Sequence, residues 1–212
     1  MSSTAFSRSL ARQVAFQPQA ARGGLQRSDG QPVAMLPLAW LHDLHASIVQ
    51  EFSDNAADVL YRCGYEWGLQ DMVTLTRRMR QQMGGGDFDL WELDAKFVYE
   101  SWWAPLHEAG WGQCRFEVTA HARGLLLVEL RASAVAAVLP GSDQPVCHLY
   151  AGLFAAVVSF FDRTERHAAE VDCAAMGAPA CRFLVGSGAD IDSAEGWRQQ
   201  GTAADEIIRR LR

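Results

Sequence analysis

The spacing of apolar residues changes once along the chain, near Gly110, and this change constrains the fold more than any other feature. Before it, apolar residues such as Trp40 and Leu44 recur every three or four positions, as on one face of a helix. After it, Cys114 and Phe116 alternate with polar residues, as in a half-buried strand. Helices followed by strands predict an α+β fold, in which helices pack on a small antiparallel sheet.

Three helices are expected in the first half of the chain. The first begins near Pro37, the second has Ser53 or Asp54 as its N-cap, and the third ends near Pro105. The expected apolar face of the second helix contains Val59, Leu60, Cys63 and Trp67.

Two glycines interrupt the second predicted helix. Gly64 and Gly68 each cost about 1 kcal/mol relative to alanine inside a helix. We expect them to permit close packing of another element.

The second half is predicted to contain a sheet with one helix inserted. The segment LLLVELRA is a returning strand, VCHLYAGLFAAVVSFF an apolar helix, and HAAEVDC and CRFLVG two further short strands. We predict a flexible N-terminal arm over 1–32, one ligand-binding domain over 33–190 and a C-terminal amphipathic helix within 191–212.

Composition narrows the class of function. The net charge of -6 argues against nucleic-acid binding, which usually requires a basic face. No apolar run reaches the ~18 residues of a membrane span. The five cysteines, an odd number without an export signal, favour thiols or metal ligands over disulfides. A cytoplasmic protein is expected.

The stretch EVDCAAMGAPACRF, residues 170–183, forms an E-x2-C-x7-C motif across a predicted hairpin. Glu170, Cys173 and Cys181 offer three metal ligands, and Cys147 at the start of the apolar helix is the natural fourth. Three thiolates and a carboxylate would form a closed tetrahedral zinc site of the structural kind.

This interpretation has a geometric condition and two alternatives. Residues 170 and 173 of a flat strand point to opposite faces, so the strand must bend near Val171 or Asp172. The cysteines could instead be small buried side chains, as free cysteines often are. Alternatively, His148 or His167 could replace one ligand or support the site from outside.

The segments GYEWG, PVCHLYAG and EVDCAAMGAPACRFLVG resemble the 4-vinyl reductase domain family. This family includes sensory domains of phenol-responsive regulators and an accessory protein of bacteriochlorophyll synthesis, and transport-particle subunits share its fold. The resemblance implies a structural zinc at Cys147, Glu170, Cys173 and Cys181, and a homodimer. It places Leu126 where the phenol sensors have a ligand-gripping Trp, which implies a larger or more apolar ligand.

A crowd of aromatic residues is the candidate ligand pocket, although residues at such spacing are also typical of an ordinary core. The candidate lining comprises Trp91, Phe97, Trp102, Trp103, Trp111, Leu126 and Phe154. The leading hypothesis is a small-molecule-binding sensor or carrier that binds a hydrophobic or aromatic ligand, with no catalytic residue identified. The alternatives are an accessory protein of tetrapyrrole synthesis and a ligand-free dimeric adaptor.

Overall fold

A computed structural model describes residues 16–19, 24–27, 32–83, 88–118 and 123–212. The helices are α1 (Leu38–Phe52), α2 (Ala56–Gln82), α3 (Ala95–Glu108), α4 (Ala134–Val138), α5 (His148–Asp162), α6 (Gly188–Gln199) and α7 (Ala204–Leu211). The strands are β1 (Phe16–Gln19), β2 (Gly24–Arg27), β3 (Pro32–Val33), β4 (Gln113–Glu117), β5 (Leu126–Arg131), β6 (His167–Asp172) and β7 (Cys181–Gly186).

The main sheet is antiparallel, with strand order β4-β5-β7-β6. Alternation along β5 buries Leu126, Val128 and Leu130 on the face that packs against the long helices. Helix α5 enters the chain between β5 and β6 and packs on both this face and α2. The predicted α+β fold is therefore confirmed.

The contact between α2 and α5 brings the two backbones together through glycine, as the sequence predicts. A Cβ atom at Gly64 would lie 1.9 Å from the carbonyl oxygen of Leu149. A Cβ at Gly152 would lie 1.9 Å from the carbonyl oxygen of Tyr61. Any side chain at either position would collide with the neighbouring backbone, so these glycines set the distance between the two helices.

The start and the inward face of α2 differ from the prediction. Residues Ser53–Asn55 form a 3-10 turn, and Asn55 caps α2 without a side-chain hydrogen bond, so neither Ser53 nor Asp54 is its N-cap. Cys63 is exposed rather than part of the core. The glycines face α5, and a neighbouring position on a helix is rotated by about 100°. Cys63 therefore points away from the core.

Helix α3 continues through Pro105 to Glu108, so the prediction that it ends near Pro105 is wrong. A proline cannot donate to the carbonyl four residues earlier, which here belongs to Ser101. Arg78 Nη2 donates to that carbonyl oxygen at 3.3 Å and compensates for the missing bond.

Two helices, rather than one, follow β7. Helix α6 begins directly after the strand, where the Ser187 side chain accepts a hydrogen bond from the Asp190 N–H. Ile191 of α6 and Ile207 of α7 are buried against the second face of the sheet, with Leu184 of β7 between them in the same cluster.

The arm expected over 1–32 falls partly outside the described residues, at 1–15, 20–23 and 28–31. The described remainder contributes β1, β2 and β3, which form an antiparallel sheet in that order.

Candidate metal centre and ligand pocket

A bulge in β6 turns the carboxylate of the E-x2-C-x7-C motif towards the cysteines. Glu170 pairs with Phe183 and Asp172 pairs with Arg182, which leaves Val171 as an extra residue in β6. One extra residue reverses the alternation of side chains along the strand. Glu170 and Cys173 can therefore face the same side, which is the bend that the sequence analysis required.

The first turn of α5 supplies the fourth group. Cys147 directly precedes α5, and its backbone N–H donates to Glu170 Oε2 at 2.9 Å. A carboxylate at this position satisfies one of the unpaired N–H groups at the helix start. It also lies at the positive end of the helix dipole.

The structure brings all four predicted ligands together. Cys147, Glu170, Cys173 and Cys181 are buried, and their candidate donor atoms lie within 4.8 Å of one another. The Sγ atoms of Cys147 and Cys181 are 3.7 Å apart. His148 and His167 are not part of this cluster.

Burial and mutual contact shift the ionisation of these groups strongly. Burial, together with the neighbouring Cys173 thiolate, raises the pKa of Glu170 to about 8. Hydrogen bonds from Cys147 and Cys181 lower the pKa of Cys173 to about 2. Hydrogen bonding to Cys173 raises the pKa of Cys147 well above its usual value. Without a cation the cluster thus favours one thiolate and disfavours further negative charge.

The donor set fits a metal ion. Glu170 Oε1 is buried and has no hydrogen-bond partner among the described residues, although buried polar oxygens are normally paired. A cation beside the thiols would satisfy this oxygen and stabilise the ionised cysteines together.

Two groups around the cluster were not identified from the sequence. Ser133 Oγ lies 3.5 Å from Cys147 Sγ, and the Ala174 N–H donates to Cys181 Sγ at 3.3 Å. The only sequence signal for Ser133 is its position as the N-cap of the short helix α4. Both contacts orient sulfur atoms of the cluster.

Most of the predicted pocket residues lie in one buried aromatic cluster. The Trp102 ring lies 5.4 Å from that of Trp103 and 6.0 Å from that of Phe154, measured between centroids. Phe97 and Leu126 are buried in the same core. These side chains contact one another directly.

Trp111 and Trp91 lie at the margins of that cluster. Trp111 is half-buried, and its ring is 4.9 Å from that of Trp67. Trp91 is 37% exposed and stacks between Phe160 and the guanidinium of Arg163. The structure thus separates Trp91 from the other predicted pocket residues.

Two cavities lie outside the aromatic cluster. An apolar groove of about 440 Å³ runs between the residues around α1 and the end of α3, and Trp111 is one of its lining residues. A second cavity of about 350 Å³, here called the α6 cavity, borders Glu170 and is lined by residues of α2, α5, β6 and α6.

Comparison with known proteins supports the class that this fold and cluster define. Residues 126–187 match the family model of the vinyl-4-reductase domain. This segment contains β5, α5, β6 and β7, and with them all four candidate ligands. The resemblance to the 4-vinyl reductase family predicted from the sequence is confirmed. No curated protein sequence matches the chain significantly.

Solved structures resemble the chain over most of its length. The phenol-responsive sensory domain of the transcription activator PoxR matches with a TM-score of 0.65 at 19% identity, covering 91% of this chain and 94% of that one. A vinyl-4-reductase family protein from Methanocaldococcus jannaschii matches with a TM-score of 0.46 at 14% identity, covering 72% and 82%. Subunit 3 of a trafficking protein particle complex from Naegleria fowleri matches with a TM-score of 0.48 at 10% identity, covering 70% and 93%. The first of these matches shows that the chain shares the sensory-domain fold.

Across the described ranges, no helix combines the length and the apolar composition that a membrane crossing requires.

Proposed function

We propose that this chain is a small-molecule-binding sensor or carrier domain stabilised by a structural zinc. The observation that carries the proposal is the buried set of three thiols and one carboxylate, with Glu170 Oε1 unpaired. Zinc favours sulfur ligands in tetrahedral geometry, and four protein ligands leave no position for a substrate. Cys147, Glu170, Cys173 and Cys181 would hold the ion, which would tie the β6–β7 hairpin to the start of α5.

The ligand we propose is small and hydrophobic or aromatic. The PoxR domain, which shares the fold, was solved with phenol. In this chain the aromatic cluster of Trp102, Trp103 and Phe154 would form the apolar wall of a pocket, with Leu126 beside it. Side chains in that cluster would have to rearrange to admit a ligand.

We also propose that the domain forms a homodimer through α1 and the apolar groove beside it. Large apolar side chains are exposed there: Met35, Leu36, Leu38, Trp40, Leu44, Val49 and Phe52. A contiguous apolar surface of this kind is typical of an interface. A second copy of the chain would cover it.

Metal analysis of purified protein tests the central proposal. We expect one zinc per chain, and we expect Cys173→Ser to lose the zinc and to lower the free energy of unfolding. Cys63→Ser is the matched control, because Cys63 is exposed on α2 and outside the cluster. Protein without zinc, or Cys173→Ser with full zinc and unchanged stability, would contradict the proposal.

A further inference from the structure

The α6 cavity is formed by small side chains where four elements meet. Its apolar surface is contributed largely by four alanines: Ala57, Ala151, Ala168 and Ala169. A volume of about 350 Å³ falls in the lower range of small-molecule sites. The cavity therefore has room for a compact organic molecule, and none of the aromatic side chains of the candidate pocket lines it.

One wall of the cavity is the edge strand β6. The Ala168 N–H, which points away from β7, donates to the Tyr61 hydroxyl at 3.3 Å. Burial raises the pKa of Tyr61 to about 12, so the hydroxyl keeps its proton at neutral pH. Tyr61 thus places a hydroxyl group in the wall of an otherwise small-residue cavity.

The charges around the cavity leave an excess of acid. Arg198 is paired with Glu195 at 2.9 Å. Burial lowers the pKa of His148, which keeps that ring neutral. Asp58 and Asp192 also line the cavity, are exposed, and have no ion-pair partner in the part of the chain that the structure describes.

The remaining histidine does not reverse this excess. His167 Nε2 lies 3.9 Å from Glu165, so its nearest charged neighbour is another acid. A cation entering the cavity would therefore meet two free carboxylates at the rim, and an anion would be repelled by them.

The cavity also reaches the candidate metal centre. Glu170 lines the cavity on one side and belongs to the thiol cluster on the other. A molecule in the cavity would contact the residue that links β6 to the start of α5.

We propose that the α6 cavity binds a small organic amine, with its ammonium group at Asp58 and Asp192 and its apolar body against the alanines. This inference deepens the proposed binding function and rests on it for the purpose of the domain. It assigns a second binding position, separate from the aromatic cluster.

Three probes of nearly equal shape test the charge preference: benzylamine, benzyl alcohol and benzoate. Titration calorimetry on the full chain is expected to detect benzylamine binding, weaker binding of the alcohol and none of benzoate. Equal binding of benzoate and benzylamine, or no binding of benzylamine, would overturn the inference.

Variants locate the site. Ala57→Leu fills the cavity and is expected to abolish benzylamine binding, whereas Ala189→Leu, exposed on α6 and outside the lining, leaves it unchanged. Removing both rim charges with Asp58→Asn and Asp192→Asn should weaken binding roughly tenfold, as loss of partly exposed ion pairs does. Full binding in Ala57→Leu would refute the location.

The metal content of every sample separates this inference from the proposed function. Zinc-loaded protein that ignores benzylamine contradicts the cavity inference alone. Zinc-free protein that binds benzylamine contradicts the structural zinc and leaves the cavity inference standing.

Discussion

Helices α2 and α1 present two opposite kinds of contact face. The face of α2 that meets α5 has Gly64 and Gly68, and a backbone of the partner helix fills the space above them. The corresponding row of α1 has Trp40 and Leu44, which are 46% and 39% exposed. The smaller residues are the more deeply buried ones. Close approach inside this fold depends on the absence of side chains, whereas the large apolar side chains of α1 lie where a partner from outside could bind.

The largest effect is expected where the two backbones touch. Gly152→Ala places a Cβ 1.9 Å from the Tyr61 carbonyl oxygen, and the backbone cannot yield as a side chain can. We expect a loss of about 3 kcal/mol or more in the free energy of unfolding, at the upper end for overpacking. Chemical denaturation measures it.

Gly196→Ala is the control for that substitution. Gly196 lies in α6, and no atom stands within 4 Å of a Cβ added there. Alanine should therefore leave stability unchanged or raise it by up to about 1 kcal/mol. If Gly152→Ala were as mild as Gly196→Ala, the backbone contact would not be what holds α2 and α5 together.

A smaller effect is expected on α1, in association rather than folding. Trp40→Asp should weaken the proposed dimer by about 2 kcal/mol, roughly 30-fold in the dissociation constant, because buried tryptophans dominate interfaces. Sedimentation at several concentrations measures it. The unfolding of the monomer should change by less than about 0.5 kcal/mol.

Val73→Asp is the matched control on α2, because Val73 is 49% exposed and does not line the apolar groove. We expect no change in association for this variant. A monomeric wild-type protein, or equal effects of the two substitutions, would remove the contrast between α1 and α2.

The smallest effect concerns a carboxylate on the partly buried side of α2. Burial raises the pKa of Asp71, whose Oδ2 accepts from Trp102 Nε1 at 3.3 Å. A raised pKa means that folding favours the protonated acid, so its contribution is fully present below the ordinary value of 3.8 and declines as pH rises above it.

Asp71→Asn keeps an acceptor for Trp102 and removes the titration. The stability of wild type relative to this variant should therefore fall as pH increases from below 3.8 to neutrality. Denaturation curves across this range measure the difference. A constant difference would mean that the arginines nearby compensate fully for the burial of Asp71.

Local patterns predicted the elements of this fold well where one face is buried by the chain itself. The alternation in β5 and the apolar run of α5 identified both elements, since Leu126 and Phe154 must leave water in any fold. The same reasoning missed α6, because residues 188–199 are largely polar and only Ile191 and Ala194 are buried.

Endings and orientations were less predictable. Pro105 normally stops a helix, but the guanidinium of Arg78, 27 positions away in sequence, replaces the lost hydrogen bond. The exposed position of Cys63 follows from how closely α5 approaches the neighbouring glycine, which no local pattern contains.

The sequence by itself determined which residues could bind a metal and where two helices could meet, because thiols, a carboxylate and glycines are chemically distinctive. Only the tertiary structure decided that Glu170 faces the cysteines. That outcome depends on Val171 bulging out of its pairing with β7, and pairing register is a property of two strands together. The tertiary structure also decided that the alanines of α2, α5 and β6 enclose a cavity, since empty space arises from how elements pack and not from the residues of any one of them.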